Sequence, residues 1–109
     1  MVSKEFELGL GLIEKFSETL EQIASSSSEE EAQALIESIR HPILGAMAQI
    51  KNGEGPLREE MLESLSTVVA QMRKLTDLGS LRSSIKETLN LVKEARKMIE
   101  EPAQAKEGG

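Results

Sequence analysis

The sequence of 109 residues predicts an all-α protein, an up-down-up-down antiparallel four-helix bundle. Apolar residues recur at steps of three and four along four segments, which is the period of one helix face. Each segment is long enough for a helix of roughly 30–36 Å. Connections of about two to five residues favour antiparallel neighbours. We therefore expect one domain over residues 1–102, followed by a disordered tail at 103–109.

The first predicted helix covers residues 4–24. Gly9 and Gly11 lie in its first turns, where a glycine costs about 1 kcal/mol relative to alanine. These turns are therefore expected either to be loose or to pack closely against a neighbour. The apolar stripe of this helix consists of Phe6, Leu10, Ile13, Phe16, Leu20 and Ile23.

The second predicted helix covers residues 29–51. Ser28 and Glu31 match a capping box, in which the serine hydroxyl accepts a hydrogen bond from a free backbone N–H. Asn52 and Gly53 predict a left-handed stop at its end. The stripe consists of Leu35 or Ile36, then Ile39, Ile43, Met47 and Ile50.

The third and fourth predicted helices cover residues 56–76 and 80–101. Pro56 is expected at the first position of the third helix, where its missing N–H does no harm. The third stripe consists of Leu57, Met61, Leu65, Val68, Met72 and Leu75, widened by Leu62 and Val69. The fourth consists of Leu81, Ile85, Leu89, Val92 and Ile99, widened by Leu91 and Met98.

The composition argues against several classes of function. With no cysteine and one histidine, the chain has no disulfide, thiolate metal site or pair of imidazoles. No nucleophile elbow or glycine-rich phosphate loop is found. We therefore expect no enzymatic activity, no cofactor and no metal. The first ten residues lack the basic start and apolar core of a secretory signal, which favours a cytoplasmic protein.

The net charge of −6 argues against nucleic acids and anionic membranes as partners. This charge is divided unevenly along the chain. Residues 3–24 hold two basic and five acidic side chains, a sum of −3. Residues 80–101 hold five basic and four acidic side chains, a sum of +1. The acidic character is therefore concentrated away from the fourth helix.

His41 and Pro42 interrupt the regular pattern in the middle of the second helix. Pro42 has no N–H for the carbonyl of Ser38, so a helix kink is expected there. His41 is two residues from both Ile39 and Ile43, which places it opposite the core stripe. An outward imidazole titrates near neutral pH and is able to accept a phosphoryl group, although an ordinary solvated histidine is the simpler interpretation.

Residues 38–43, Ser-Ile-Arg-His-Pro-Ile, resemble the end of the H-E-x-R-N-P-L box in the dimerisation and phosphotransfer domains of sensor kinases. This resemblance covers about residues 35–80 and implies a helical hairpin, but Glu37 occupies the position of the phosphorylated histidine. The chain also resembles monomeric histidine-phosphotransfer modules, which are four-helix bundles of this size. There, His41 and Gly45 match the spacing of the phosphoacceptor and a glycine four residues later, whereas Leu44 replaces a lysine. The second resemblance implies that His41 is the phosphoacceptor.

Three functional hypotheses remain open. The first is a non-enzymatic interaction module that binds a protein partner or a second copy through exposed helix faces. For it we name Leu62, Val69 and Met72 as a candidate partner-binding patch. The second is a phosphorelay module or a degenerate relative with His41 as phosphoacceptor. The third is an engineered helical scaffold. An adaptable binding groove formed by methionines is a further possibility, although such residues more often fill a core.

Overall fold

The computed structural model describes residues 1–100, and this part is helical without strands. The all-α prediction is confirmed. Within these residues five helices are found where four were predicted, because the first predicted helix is divided into two. Glu101 and the tail predicted at 103–109 lie outside the described residues. The five helices are α1 (Lys4–Lys15), α2 (Ser17–Ala24), α3 (Glu29–Asn52), α4 (Arg58–Arg73) and α5 (Leu78–Glu100).

The segment predicted as one helix at 4–24 is divided at Phe16. Its backbone, at φ −102° and ψ 12°, lies outside the helical region. The hydroxyl of Ser17 donates to the carbonyl of Glu14 at 2.9 Å. In an uninterrupted helix that carbonyl would accept from the backbone N–H of Glu18, so the serine offers a competing partner. No glycine or proline marks this break in the sequence.

α3 begins at the predicted cap and continues through Pro42. The backbone N–H of Glu31 donates to the Ser28 hydroxyl at 3.2 Å, as a capping serine requires. The Glu31 carboxylate accepts a hydrogen bond from the neighbouring Ser27 at 3.3 Å instead of returning to the cap residue. Pro42 lies inside one helix assigned from Glu29 to Asn52, so this proline does not divide it into two helices.

The turn between α3 and α4 corrects two local predictions. Gly53 is extended, at φ −108° and ψ −174°, and is not a left-handed stop. Leu57 instead takes the left-handed conformation, at φ 61°, so α4 begins at Arg58 and not at Pro56. A Cβ on Gly53 would lie 2.5 Å from the Phe6 backbone nitrogen. One on Gly55 would lie 2.3 Å from the Phe6 ring. The turn is therefore folded closely over Phe6.

α4 ends at Arg73, three residues earlier than predicted, because Lys74 is extended at φ −136° and ψ 90°. α5 begins at Leu78, two residues earlier than predicted, because Asp77 organises its first turn. The Asp77 carboxylate accepts from the backbone N–H of Gly79 at 3.0 Å and from the hydroxyl of Ser80 at 2.6 Å. These two hydrogen bonds hold the pKa of Asp77 below its ordinary value, the Ser80 bond having the larger effect.

All five helices contribute to one apolar core. α1 packs mainly on α3, α3 on α4, α4 on α5, and α2 on both α5 and α3. The predicted stripes supply most of the buried side chains. The largest buried ones are Phe6, Leu10, Ile13, Leu20, Ile23, Ile36, Ile39, Ile43, Ile50, Met61, Leu65 and Leu81. The half-buried apolar side chains packed against them include Phe16, Met47, Leu57, Leu62, Val69, Leu75, Leu89 and Ile99.

Candidate functional site

His41 is exposed in the middle of α3, on the side away from the core. Arg40 forms an ion pair with Glu37, at 3.3 Å between Nη1 and Oε1. A Cβ placed on Gly45 would meet no atom within 4 Å, so the surface one turn after His41 is open. The imidazole is therefore accessible to a partner, while Leu44, half-buried, stands where a phosphotransfer module has a lysine.

The patch expected from Leu62, Val69 and Met72 is largely closed. Met72 is 2% exposed and belongs to the core, which corrects its expected place at the surface. Leu62 and Val69 are half-buried against the same core. Val69 and Met72 line a cavity of about 50 Å³ between α3 and α4, together with Arg40, Leu44 and Arg73. The helical stripe on α4 is wide because α4 contacts two neighbouring helices.

The methionines do not form a common groove. Met61 and Met72 are buried in the core, Met47 is half-buried on α3, and Met98 is half-exposed near the end of α5. Two of these four methionines, Met61 and Met72, are therefore core residues, as methionines more often are. A methionine-lined binding surface has no geometric basis among these side chains.

A concave surface on residues 1–100 lies between α2 and α5, and we call it the α2–α5 groove. Its volume of about 610 Å³ is in the range of ligand and peptide sites, roughly 300–1,000 Å³. The half-buried Leu89 supplies apolar surface in the groove, and the buried Ala24 and Ile85 form its floor. The complete lining is Glu21, Ala24, Ser25, Arg82, Ile85, Lys86, Leu89, Asn90 and Lys93.

The α2–α5 groove is basic in a chain that is acidic as a whole. Arg82, Lys86 and Lys93 line it, against Glu21 as the one carboxylate among its lining residues. Within residues 1–100, neither Lys86 nor Lys93 takes part in an ion pair. Two lysine charges are therefore available at the edge of an apolar surface.

Two arginines hold α5 against α1 and α2 on either side of the groove. Arg82 donates from its guanidinium to the carbonyls of Ala24 and Ser26 at the end of α2. Arg96 contacts Glu14 at 2.8 Å and Glu7 at 2.6 Å on α1. The hydrogen bonds that Arg96 donates to Glu14 have the largest effect on the pKa of Arg96 and raise it above the ordinary value. The walls of the groove are thus fixed at both ends.

The sequence patterns did not single out the groove residues. Lys86 and Lys93 are two turns apart on α5, and such lysines usually belong to a solvated helix face. The uneven division of charge was the available signal, because the fourth predicted helix alone carried a positive sum. The positive sum indicated that this helix is basic. It did not indicate that α2 forms the other side of a groove, because that depends on the packing of α2 against α5.

No helix within residues 1–100 is both long and apolar enough to cross a lipid bilayer. No three acidic or histidine side chains there converge as metal ligands would. Comparisons with known protein families, with curated proteins and with solved structures found no match for this chain.

Proposed function

We propose that this chain is a non-enzymatic interaction module, and that it binds a helix of a protein partner in the α2–α5 groove. The observation that carries the proposal is the groove between the two helices, which combines the apolar Leu89 with two lysines that form no ion pair within residues 1–100. Two adjacent helices with an apolar seam are a common receptor for a third helix. We thus place the interface on α2 and α5, and not on the α4 patch of Leu62, Val69 and Met72.

We propose further that α1 and α2 act as one interrupted helix, so that the fold is an up-down-up-down four-helix bundle. The contacts between helix ends support this topology. Ser3, before α1, accepts a hydrogen bond from the backbone N–H of Glu54, just beyond the end of α3, at 2.8 Å. Arg82, in the first turns of α5, reaches Ala24 at the end of α2. Antiparallel neighbours bring together such opposite ends.

A phosphorelay module is the second candidate function, favoured by the exposure of His41 on an open part of α3. Its test is incubation with an acyl-phosphate donor, followed by detection of an acid-labile label. If His41 is the phosphoacceptor, the wild type should be labelled and the His41→Ala variant should not. Absence of label on both proteins would refute this function. Equal labelling of both would show that another residue accepts the phosphoryl group.

The interaction function is tested by selecting helical peptides from a random display library on the immobilised protein. The recovered peptides are then measured against Leu89→Ala and against the double variant Leu62→Lys with Val69→Lys. We expect binding to be weakened by Leu89→Ala, because the substitution removes apolar surface from the groove. We expect it to persist in the α4 variant, provided that circular dichroism shows both variants to be folded.

Two results would contradict the proposed function. Recovered peptides that lose affinity only for the α4 variant would place the interface at Leu62 and Val69. A selection that yields no binding peptide would argue against a helix-binding surface altogether. A second copy of the chain as the partner is tested separately by light scattering, which would then give a mass that rises with concentration.

A further inference from the structure

We infer that the α2–α5 groove recognises an acidic amphipathic helix of about three turns. This inference rests on the proposed function and names the class of partner. It depends on three properties of the groove, which are its charge, its apolar surface and its length. Each property selects a different feature of the occupant.

Charge selects an acidic partner. The groove has three basic side chains and one acidic side chain, a local sum of +2 on a protein whose net charge is −6. Arg82 is already bonded to backbone carbonyls, whereas Lys86 and Lys93 form no ion pair with any of residues 1–100. A partner with carboxylates opposite these lysines would gain both attraction and a faster encounter. A basic partner would meet like charge.

The apolar surface and its length select a helix. On α5 the half-buried Leu89 lies one turn after the buried Ile85, and the buried Ala24 lines the same groove from α2. From Arg82 to Lys93 the groove follows α5 for about 16 Å, at 1.5 Å per residue. A helix of about three turns has that length and presents apolar residues at steps of three and four. Carboxylates on the flanks of such a stripe would lie beside the lysines.

The exposed faces of α1 and α4 do not match these requirements, so neither helix of a second copy fits the groove. On α4 three of the seven exposed side chains are acidic, but the exposed apolar residue there is only Ala70. On α1 the exposed Leu8 is apolar enough, but its face carries Lys4 and Lys15 against Glu5, a sum of +1. The occupant to which we commit is therefore a helix of a different protein, and light scattering tests a second copy.

The test uses two lactam-bridged peptides of about 14 residues, a length that covers the groove. One has leucines at steps of three and four with glutamates on both flanks. The other has lysine in place of every glutamate. Binding of each fluorescent peptide to the full chain is measured by anisotropy at about 0.05 M and 0.5 M salt. We expect the acidic peptide to bind more tightly than the basic peptide. Its affinity should be lower at high salt than at low salt, because the ion pairs are exposed to solvent.

Charge reversal locates the effect. In the double variant Lys86→Glu with Lys93→Glu, affinity for the acidic peptide is expected to fall about tenfold, from two lost surface pairs and the new repulsion. The matched control is Lys4→Glu with Lys74→Glu, which has the same net charge but alters exposed lysines outside the groove. The control is expected to stay within about twofold of the wild type.

The possible failures of the two proposals give different results. If both peptides bind equally, and only Leu89→Ala weakens them, the groove is an interface but the inference of an acidic partner is refuted. If the acidic peptide binds wild type, groove variants and control alike, the binding is not in the groove and both proposals are refuted. Absence of saturable binding of either peptide at about 1 mM would also refute both.

Discussion

Gly9 and Gly11 are two residues apart on α1, and we predict opposite effects when each is changed to alanine. A Cβ on Gly11 would meet nothing within 4 Å. Gly11→Ala should therefore stabilise the protein by about 0.5–1 kcal/mol, because alanine loses less backbone freedom on folding. A Cβ on Gly9 would lie 2.5 Å from Cγ1 of Ile50 and 3.0 Å from the carbonyl oxygen of Ala46.

We expect Gly9→Ala to lower the free energy of unfolding by about 1–2 kcal/mol. Overpacking of a core contact destabilises by roughly 1–3 kcal/mol. The upper part of that range applies, because one of the two close atoms is backbone and the other is near the base of the Ile50 side chain. The helix propensity of alanine offsets about 1 kcal/mol of it. The two variants should thus differ by about 1.5–3 kcal/mol in the free energy of unfolding.

Urea denaturation followed by circular dichroism measures this difference. At roughly 4 °C per kcal/mol for a domain of this size, thermal unfolding should separate the variants by about 10 °C. In a double variant with Ile50→Ala, the penalty of Gly9→Ala should become smaller, because the closest clashing atom is removed while the Ala46 carbonyl oxygen remains. A Gly9→Ala protein as stable as the Gly11→Ala protein would refute the close packing of α1 on α3.

Three further predictions concern helix ends and a buried polar contact. The hydrogen bond from the Ser80 hydroxyl has the largest effect in lowering the folded-state pKa of Asp77. Ionised Asp77 should therefore stabilise the protein fully above pH about 4, and less as the pH falls through the folded-state pKa. Asp77→Asn should remove this pH-dependent part of the stability, and an unchanged pH profile of unfolding would contradict the prediction. Ser28→Ala should lower the free energy of unfolding by about 0.5–2 kcal/mol in urea, and no change would show that the cap is not formed. The buried hydroxyls of Ser64 and Thr88 are 2.6 Å apart. Thr88→Val should destabilise more than Ser64→Ala in thermal melts, because it leaves the Ser64 hydroxyl buried without this partner, and the reverse order would contradict the pairing.

The core and the helical class followed from periodicity because both are local properties of the sequence. Every stripe residue of the first helix except Phe16 is buried. The break at Phe16 could not be predicted, since the competing hydrogen bond from Ser17 is available to any serine on a helix. The turn before α4 was also mispredicted. Its shape depends on packing over Phe6, which is distant in the sequence.

The candidate site was less predictable than the fold because it depends on which helices are neighbours. His41 was expected on the outer face of its helix, and it is exposed there. Met72 was expected near a surface patch, but the position of α4 between α3 and α5 buries it. Lys86 and Leu89 line a groove only because the fold places them beside Ala24 on α2.

The most direct test of the central claim is a titration of the isotope-labelled protein with the acidic peptide, followed by amide chemical shifts. We predict that the perturbed amides cluster along α2 and α5, at Ser25, Leu89 and Asn90, and that the cluster disappears in the variant with both groove lysines reversed. A cluster of shifts on α4 around Leu62 and Val69 would contradict the claim, as would shifts scattered over the whole surface.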